Sequence, residues 1–179
     1  MFTDAGLDDD RIGSMIVNIV NIVNLLPALF AGDLGSRYGN RRMILFAHVV
    51  MILTSVGIMI ALSANSPVVS IIFTALYVAA FATSLGPLIF VILTAMFPHS
   101  LRATGMSLCL CANWLGQLLI GVGYPYVSDA LGDLSFLPFV VLLSGLGLFH
   151  HKLLPETAGK TNDEVQDIFR RRRKAYEEQ

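Results

Sequence analysis

No Asp, Glu, Lys or Arg occurs from Met43 to Leu101, none from Ala103 to Ser128 and none from Leu134 to His151. Runs this long without a formal charge are too apolar for the loops and surface of a water-soluble domain. They are long enough for helices of about 20 residues to cross a hydrocarbon layer of about 30 Å. Only 14% of the residues are charged and 55% are hydrophobic, whereas a soluble domain keeps roughly a quarter charged. Inside lipid the backbone must satisfy its own hydrogen bonds. A spanning strand would show a period of two over about ten residues, and these runs do not, so they read as helices.

Five apolar spans follow, at about 12–31, 43–64, 68–96, 103–127 and 134–154. The expected class is all-α: a polytopic membrane bundle of five transmembrane helices. Residues 1–11 form an extracellular segment and 155–179 a cytoplasmic tail. Basic residues set this orientation. With the N-terminus outside, only Arg11 of the 12 Lys and Arg lies on the outer side. The acidic N-terminus does not resemble a cleavable signal. A net charge of −1 predicts no nucleic-acid partner.

Thr161-Asn162-Asp163-Glu164 spells a capping box, in which the Thr and Glu side chains satisfy free N–H groups of a first helical turn. Val165, Ile168 and Phe169 then make one apolar face of a soluble tail helix, and Arg170 to Lys174 follow. That run reads as a solvated end beside lipid head groups, with anionic-lipid recognition as the alternative. Gly86-Pro87 lies inside the third span. Proline removes a backbone donor and clashes with the preceding turn, so a kink or break is expected there. In a membrane helix such a break often lines a cavity.

No catalytic or metal constellation is visible, and no cofactor is expected. Cys109 and Cys111 point to different faces of a helix. The histidines, all near span ends, read as solvated or interfacial. Gly159-Lys160-Thr161 is no phosphate loop, because the glycine required five residues earlier is Leu154. What remains is polar groups within apolar spans: Asn18, Asn21 and Asn24 in the first, and Asn113, Trp114 and Gln117 in the fourth. Uncharged carboxamides offer the mixed donors and acceptors that sugar hydroxyls need, and Trp114 offers an apolar face to a pyranose ring. The same residues serve equally as interhelical glue.

Four stretches resemble the sugar-porter family of the major facilitator superfamily. Gly32-Asp33-Leu34-Gly35-Ser36-Arg37-Tyr38-Gly39-Asn40-Arg41-Arg42 resembles the family's basic loop after its eighth helix. Gly86-Pro87 with Phe97-Pro98-His99-Ser100-Leu101-Arg102-Ala103-Thr104-Gly105 resembles the tenth helix and the loop after it. Asn113-Trp114 resembles the eleventh helix, and Pro155-Glu156-Thr157-Ala158-Gly159-Lys160-Thr161 resembles the PETKG signature after the twelfth.

The resemblance implies a partial C-terminal half of a major facilitator fold, carrying a hexose or related polyol by alternating access. The six-helix N-terminal half and the seventh helix, with its Gln-Gln sugar motif, would lie outside this sequence. It implies sugar contacts at Asn113, Gln117, Trp114, Phe90 and one first-span asparagine. Counting from Asp33 selects Asn21, and counting from Arg37 selects Asn24. It implies a cytoplasmic gate of Arg37, Arg41 and Arg102 with acidic partners. Two family acids are replaced, by Ser36 and Ala95, which leaves Asp33 and Glu156 as candidate substitutes. A third family acid is Ala82 here. Proton co-transport, the membrane involved and the sugar stay open. Other expectations are a fragment without activity of its own, or a carrier for another small organic solute. A cationic residue facing the cavity would favour an organic acid, and the spans hold none apart from Lys152 at the very end of the fifth.

Overall fold

The computed structural model describes residues 10–177, and all their regular structure is helical. Helix α1 runs Asp10–Tyr38, α2 Asn40–Ser63, α3 Pro67–Thr83, α4 Leu85–Met96, α5 Arg102–Leu131, α6 Leu137–Leu153 and α7 Asn162–Glu177. A single 3-10 turn, Gly132–Leu134, joins α5 to α6. The stretches 40–63, 67–96 and 102–134 are long and apolar enough to cross a membrane, and α6 is a shorter apolar helix of 17 residues. The expected first span lies within α1.

Helix α2 is the centre of the bundle. Its buried positions include Asn40, Ile44, Ala47, Met51, Thr54, Ile58 and Ala61, one stripe at the three-and-four spacing of a packed helix face. Opposite them Phe46, Leu53 and Ile60 are 68%, 65% and 65% exposed. Large apolar side chains face outward as well as inward, and the hydroxyls within the buried stripe are satisfied by their own helix. Thr54 Oγ1 donates to the Val50 carbonyl at 2.9 Å, and Ser55 Oγ to the Met51 carbonyl at 2.7 Å. In lipid the hydrophobic effect does not join helices, and close packing of small residues takes its place. Gly57 on α2 lies against the Phe73 ring of α3, and Gly147 on α6 lies against His48. The fully apolar core is small: Ile44, Leu88, Ile92 and Leu154.

Turn chemistry sets the ends. After α2, Asn65 adopts a left-handed φ of 49°. Its N–H donates to the Leu62 carbonyl and that of Ser66 to the Ala61 carbonyl, both at 3.0 Å. This is a Schellman cap, and Pro67 then opens α3, where its missing donor costs nothing.

The break in the third span falls at Ser84, three residues before the proline. Starting a new helix at Leu85 places Pro87 in a first turn, where no intrahelical donor is needed, and keeps its ring off a continuing helix. The Leu88 N–H donates to the Ser84 carbonyl at 2.9 Å. The expected kink or break is therefore a break, displaced toward the N-terminus.

Helix α5 differs from the rest. It meets α4 and the 3-10 turn, and none of its residues is buried. At its far end Tyr124 packs on Phe136 and Phe139, with ring centroids 6.1 and 6.0 Å apart.

Candidate functional site

Two places in the fold collect polar side chains. The first is the uncovered flank of α5. Trp114, Gln117, Leu118, Gly121 and Val122 form one shallow, open patch on the surface of α5. Trp114 is 65% exposed. Asn113, one turn before Gln117, is exposed beside the patch without being part of it. The arrangement offers an aromatic face next to a carboxamide, with Gly121 leaving the backbone open. Phe90, half-buried on α4, is not part of this patch. The side chains of Asn21 and Asn24, on α1, lie outside the described residues. Of the six expected sugar contacts, the structure joins Trp114 and Gln117.

The second place is where the segment after α6 folds over the α1–α2 turn. Gly39 links the two helices at φ 95°, ψ 128°, a backbone conformation that side chains with a Cβ rarely adopt. The Glu156 carboxylate lies directly over it. Glu156 Oε1 accepts from the Thr157 and Ala158 N–H groups at 3.0 Å each, and from the Arg41 N–H at 3.5 Å. Beside it Asn40 Nδ2 donates to Thr157 Oγ1 at 2.9 Å, both side chains buried. The Arg41 guanidinium donates to the His151 carbonyl and leaves its Nε buried without a partner. Glu156 thus meets Arg41 through the Arg41 backbone N–H, while the guanidinium of Arg41 turns to the His151 carbonyl.

The other gate positions are separate. Asp33 and Arg37 are exposed. The Asp33 carbonyl accepts from Ser36 Oγ at 2.8 Å, and the Arg37 guanidinium lies 5.9 Å from the Tyr38 ring. Among the described residues the ion pair is Arg170–Asp167, at 3.7 Å. Arg102 has its Nε and Nη2 buried with no hydrogen-bond partner.

Three features escaped the sequence reading. The Asn40–Thr157 bond joins residues 117 apart, and no local pattern signals it. Gly39 was part of a motif, but its role as the seat of Glu156 was not legible. His48 corrects the expectation of a solvated histidine. It is 2% exposed, its Nδ1 donates to the Ile44 carbonyl at 2.8 Å, and its Nε2 lies 3.3 Å from His150 Nδ1. A histidine five residues past the start of the span is already enclosed by α6, where Gly147 and His150 lie against it.

Long apolar helices with large apolar side chains turned outward, one of them interrupted at Ser84, mark an integral membrane protein. The profile of the family described as "Sugar (and other) transporter" matches residues 1–169, and the chain belongs to that family. It is similar to solute carrier family 2, facilitated glucose transporter member 4, of Bos taurus. The two are 31% identical over 176 residues, 96% of this chain and 34% of that protein. With the Saccharomyces cerevisiae hexose transporter HXT13 it is 27% identical over 182 residues, 94% of this chain and 32% of the relative. The fold is similar to the inward-open xylose transporter XylE from E. coli. That superposition has a TM-score of 0.77 at 26% identity and covers 84% of this chain and 34% of that one. A second XylE structure, the proton:xylose symporter bound to 6-bromo-6-deoxy-D-glucose, shares the fold with a TM-score of 0.82. The chain spans about a third of the length of these relatives.

Proposed function

We propose that this chain supplies helices eight to twelve of a carrier that moves a hexose or related polyol by alternating access. The observation that carries this is α5. A helix apolar enough to span the membrane carries Asn113, Trp114 and Gln117, and the other described helices bury none of its residues, Leu108, Leu118 and Leu119 included. Polar groups are not left facing lipid, so such a flank lines an aqueous path or meets further protein. In this proposal the further protein is an N-terminal bundle with the seventh helix, a reading supported by the chain's covering about a third of its relatives' length. Rocking that bundle against this one would expose the patch to each side in turn.

In this reading α1 and α6 also cross, giving five spans with the N-terminus outside and the tail in the cytoplasm, in the plasma membrane. Asn113 and Gln117 bond sugar hydroxyls, Trp114 stacks on the ring, and Phe90 with Asn21 or Asn24 closes the site. Arg41 with Glu156, and Asp33, Arg37 and Arg102 around them, form the cytoplasmic gate. Proton coupling belongs to the proposal as an option, since one structural relative is a proton:xylose symporter. A second reading, that this chain alone moves no solute, is favoured by the same uncovered flank.

Radiolabelled hexose uptake into cells lacking their own hexose carriers tests both readings, using the full-length protein that contains this sequence and the present chain in parallel. Uptake by the full-length protein, with Asn113→Ala lowering it about tenfold, is the expected result. That is the equivalent of one hydrogen bond of about 1.4 kcal/mol. Unchanged uptake in the variant removes Asn113 from the site, and uptake by the present chain alone removes the second reading.

A further inference from the structure

The tail helix forms a second, unrelated site. We propose that the cleft between the end of α4 and α7 binds an anionic phospholipid, with an acyl chain in the cleft and the phosphate on Arg170 and Arg171. The inference goes beyond the sugar reading and rests only on the membrane setting of α4.

The capping box starts α7 as its sequence demands: the Thr161 N–H donates to Glu164 Oε2 at 2.8 Å and the Glu164 N–H to Thr161 Oγ1 at 3.4 Å. From there Val165 is fully buried and Ile168 and Phe169 are half-buried, while Arg170 and Arg171 are exposed. The helix packs on α4. Packing is incomplete, and a cleft of ≈ 330 Å³ remains. Leu93, Met96, Phe97 and Phe169 give it apolar walls, and Gln166 and Arg170 stand at it as polar groups.

Three observations select the occupant. The apolar run of α4 ends at Met96, so the cleft lies at head-group depth whichever leaflet it faces. An aqueous solute would gain nothing from its walls, whereas a hydrocarbon chain fills them. The charged residue lining the cleft is Arg170, and no acidic residue lines it; in sequence Arg170 opens the run Arg170-Arg171-Arg172-Arg173-Lys174. Arg170 is held only by Asp167 at 3.7 Å, with side chains 75% and 59% exposed. An exposed pair of that length is weak, so a phosphate competes for the guanidinium easily. Clusters of four or more basic residues at the cytoplasmic surface favour anionic lipid in the same way, and the apolar cleft adds a place for the chain.

The test uses the purified protein in detergent micelles, with retained lipid counted by native mass spectrometry and no sugar present. Phosphatidylglycerol, phosphatidylcholine of the same chains, and inorganic phosphate are compared. We expect phosphatidylglycerol to bind at least tenfold more tightly than phosphatidylcholine and inorganic phosphate not to displace it at equal concentration. R170Q/R171Q should lower the preference at least fivefold, and Phe169→Gln should weaken phosphatidylglycerol although every arginine remains. Equal retention of the two lipids overturns the proposal. So does Phe169→Gln binding like the parent, which reduces the effect to diffuse surface attraction. Displacement by inorganic phosphate overturns it in favour of a free-anion site. If the double variant does not fold, the three-ligand comparison on the parent protein decides. Loss of sugar uptake in another experiment leaves this result untouched.

Discussion

Substituting Gly39 by alanine should damage the chain in two separable ways. The first is backbone strain. At φ 95° and ψ 128°, a residue with a Cβ is outside its ordinary regions, at a cost of about 2 kcal/mol. The second is collision, because the new Cβ would stand 2.7 Å from Glu156 Oε2, well inside contact distance. The carboxylate must move, and its Oε1 then gives up the Thr157 and Ala158 N–H groups it holds at 3.0 Å. Those are charge-assisted bonds in a half-buried place, worth about 1 kcal/mol each after solvent takes its share. Gly39→Ala should therefore cost about 4 kcal/mol.

Glu156→Ala, which loses the bonds without the strain, should cost about 2 kcal/mol. The double variant should also cost about 4 kcal/mol, because the collision has nothing left to hit. The two changes are thus coupled by about 2 kcal/mol. Each kcal/mol moves the melting temperature by about 2–4 °C at this chain length. Gly39→Ala should then melt about 8–16 °C lower, followed by circular dichroism of the helices in detergent. Strict additivity of the two changes would refute the contact between Gly39 and Glu156. A harmless Gly39→Ala would refute the strain as well.

Two further expectations follow from single groups. Arg102→Met removes a guanidinium whose Nε and Nη2 are buried without acceptors, so it should raise the melting temperature by about 2–12 °C, since an orphaned buried donor costs about 1–3 kcal/mol; a lowered melting temperature would mean that an acceptor exists. The Thr161 backbone N–H, the Thr161 hydroxyl and Lys160 hold the Glu164 carboxyl below its ordinary 4.5. A depressed carboxyl stabilises α7 above its unfolded value and stops doing so as pH falls through the lowered folded value. The first turn of α7 should fray in that acid window by hydrogen exchange, and Glu164→Gln should remove the pH dependence; an unchanged profile in the variant would exclude the capping box as its cause.

The helices were legible because their cause is local. Charge-free runs such as Met43 to Leu101 leave lipid as the only comfortable solvent, and the ends fall where caps and prolines put them: Asn65 before Pro67, Thr161 before Glu164. Even the interruption of the third span was announced by Pro87. Its place at Ser84 was not, because that depends on which turn can absorb the missing donor.

The sites divide in the same way. Asn113, Trp114 and Gln117 could be named from residue chemistry and motif, since a carboxamide and an indole in an apolar helix are conspicuous wherever the helix sits. That their flank stays uncovered is a property of packing. The Glu156–Gly39 seat, the Asn40–Thr157 bond and the burial of His48 arise where a segment returns to a turn more than a hundred residues earlier. Hydropathy and caps act within a few turns of one helix, so the sequence by itself determined the spans and their ends. Contacts between distant segments depend on how whole helices cross, and only the tertiary structure decided those.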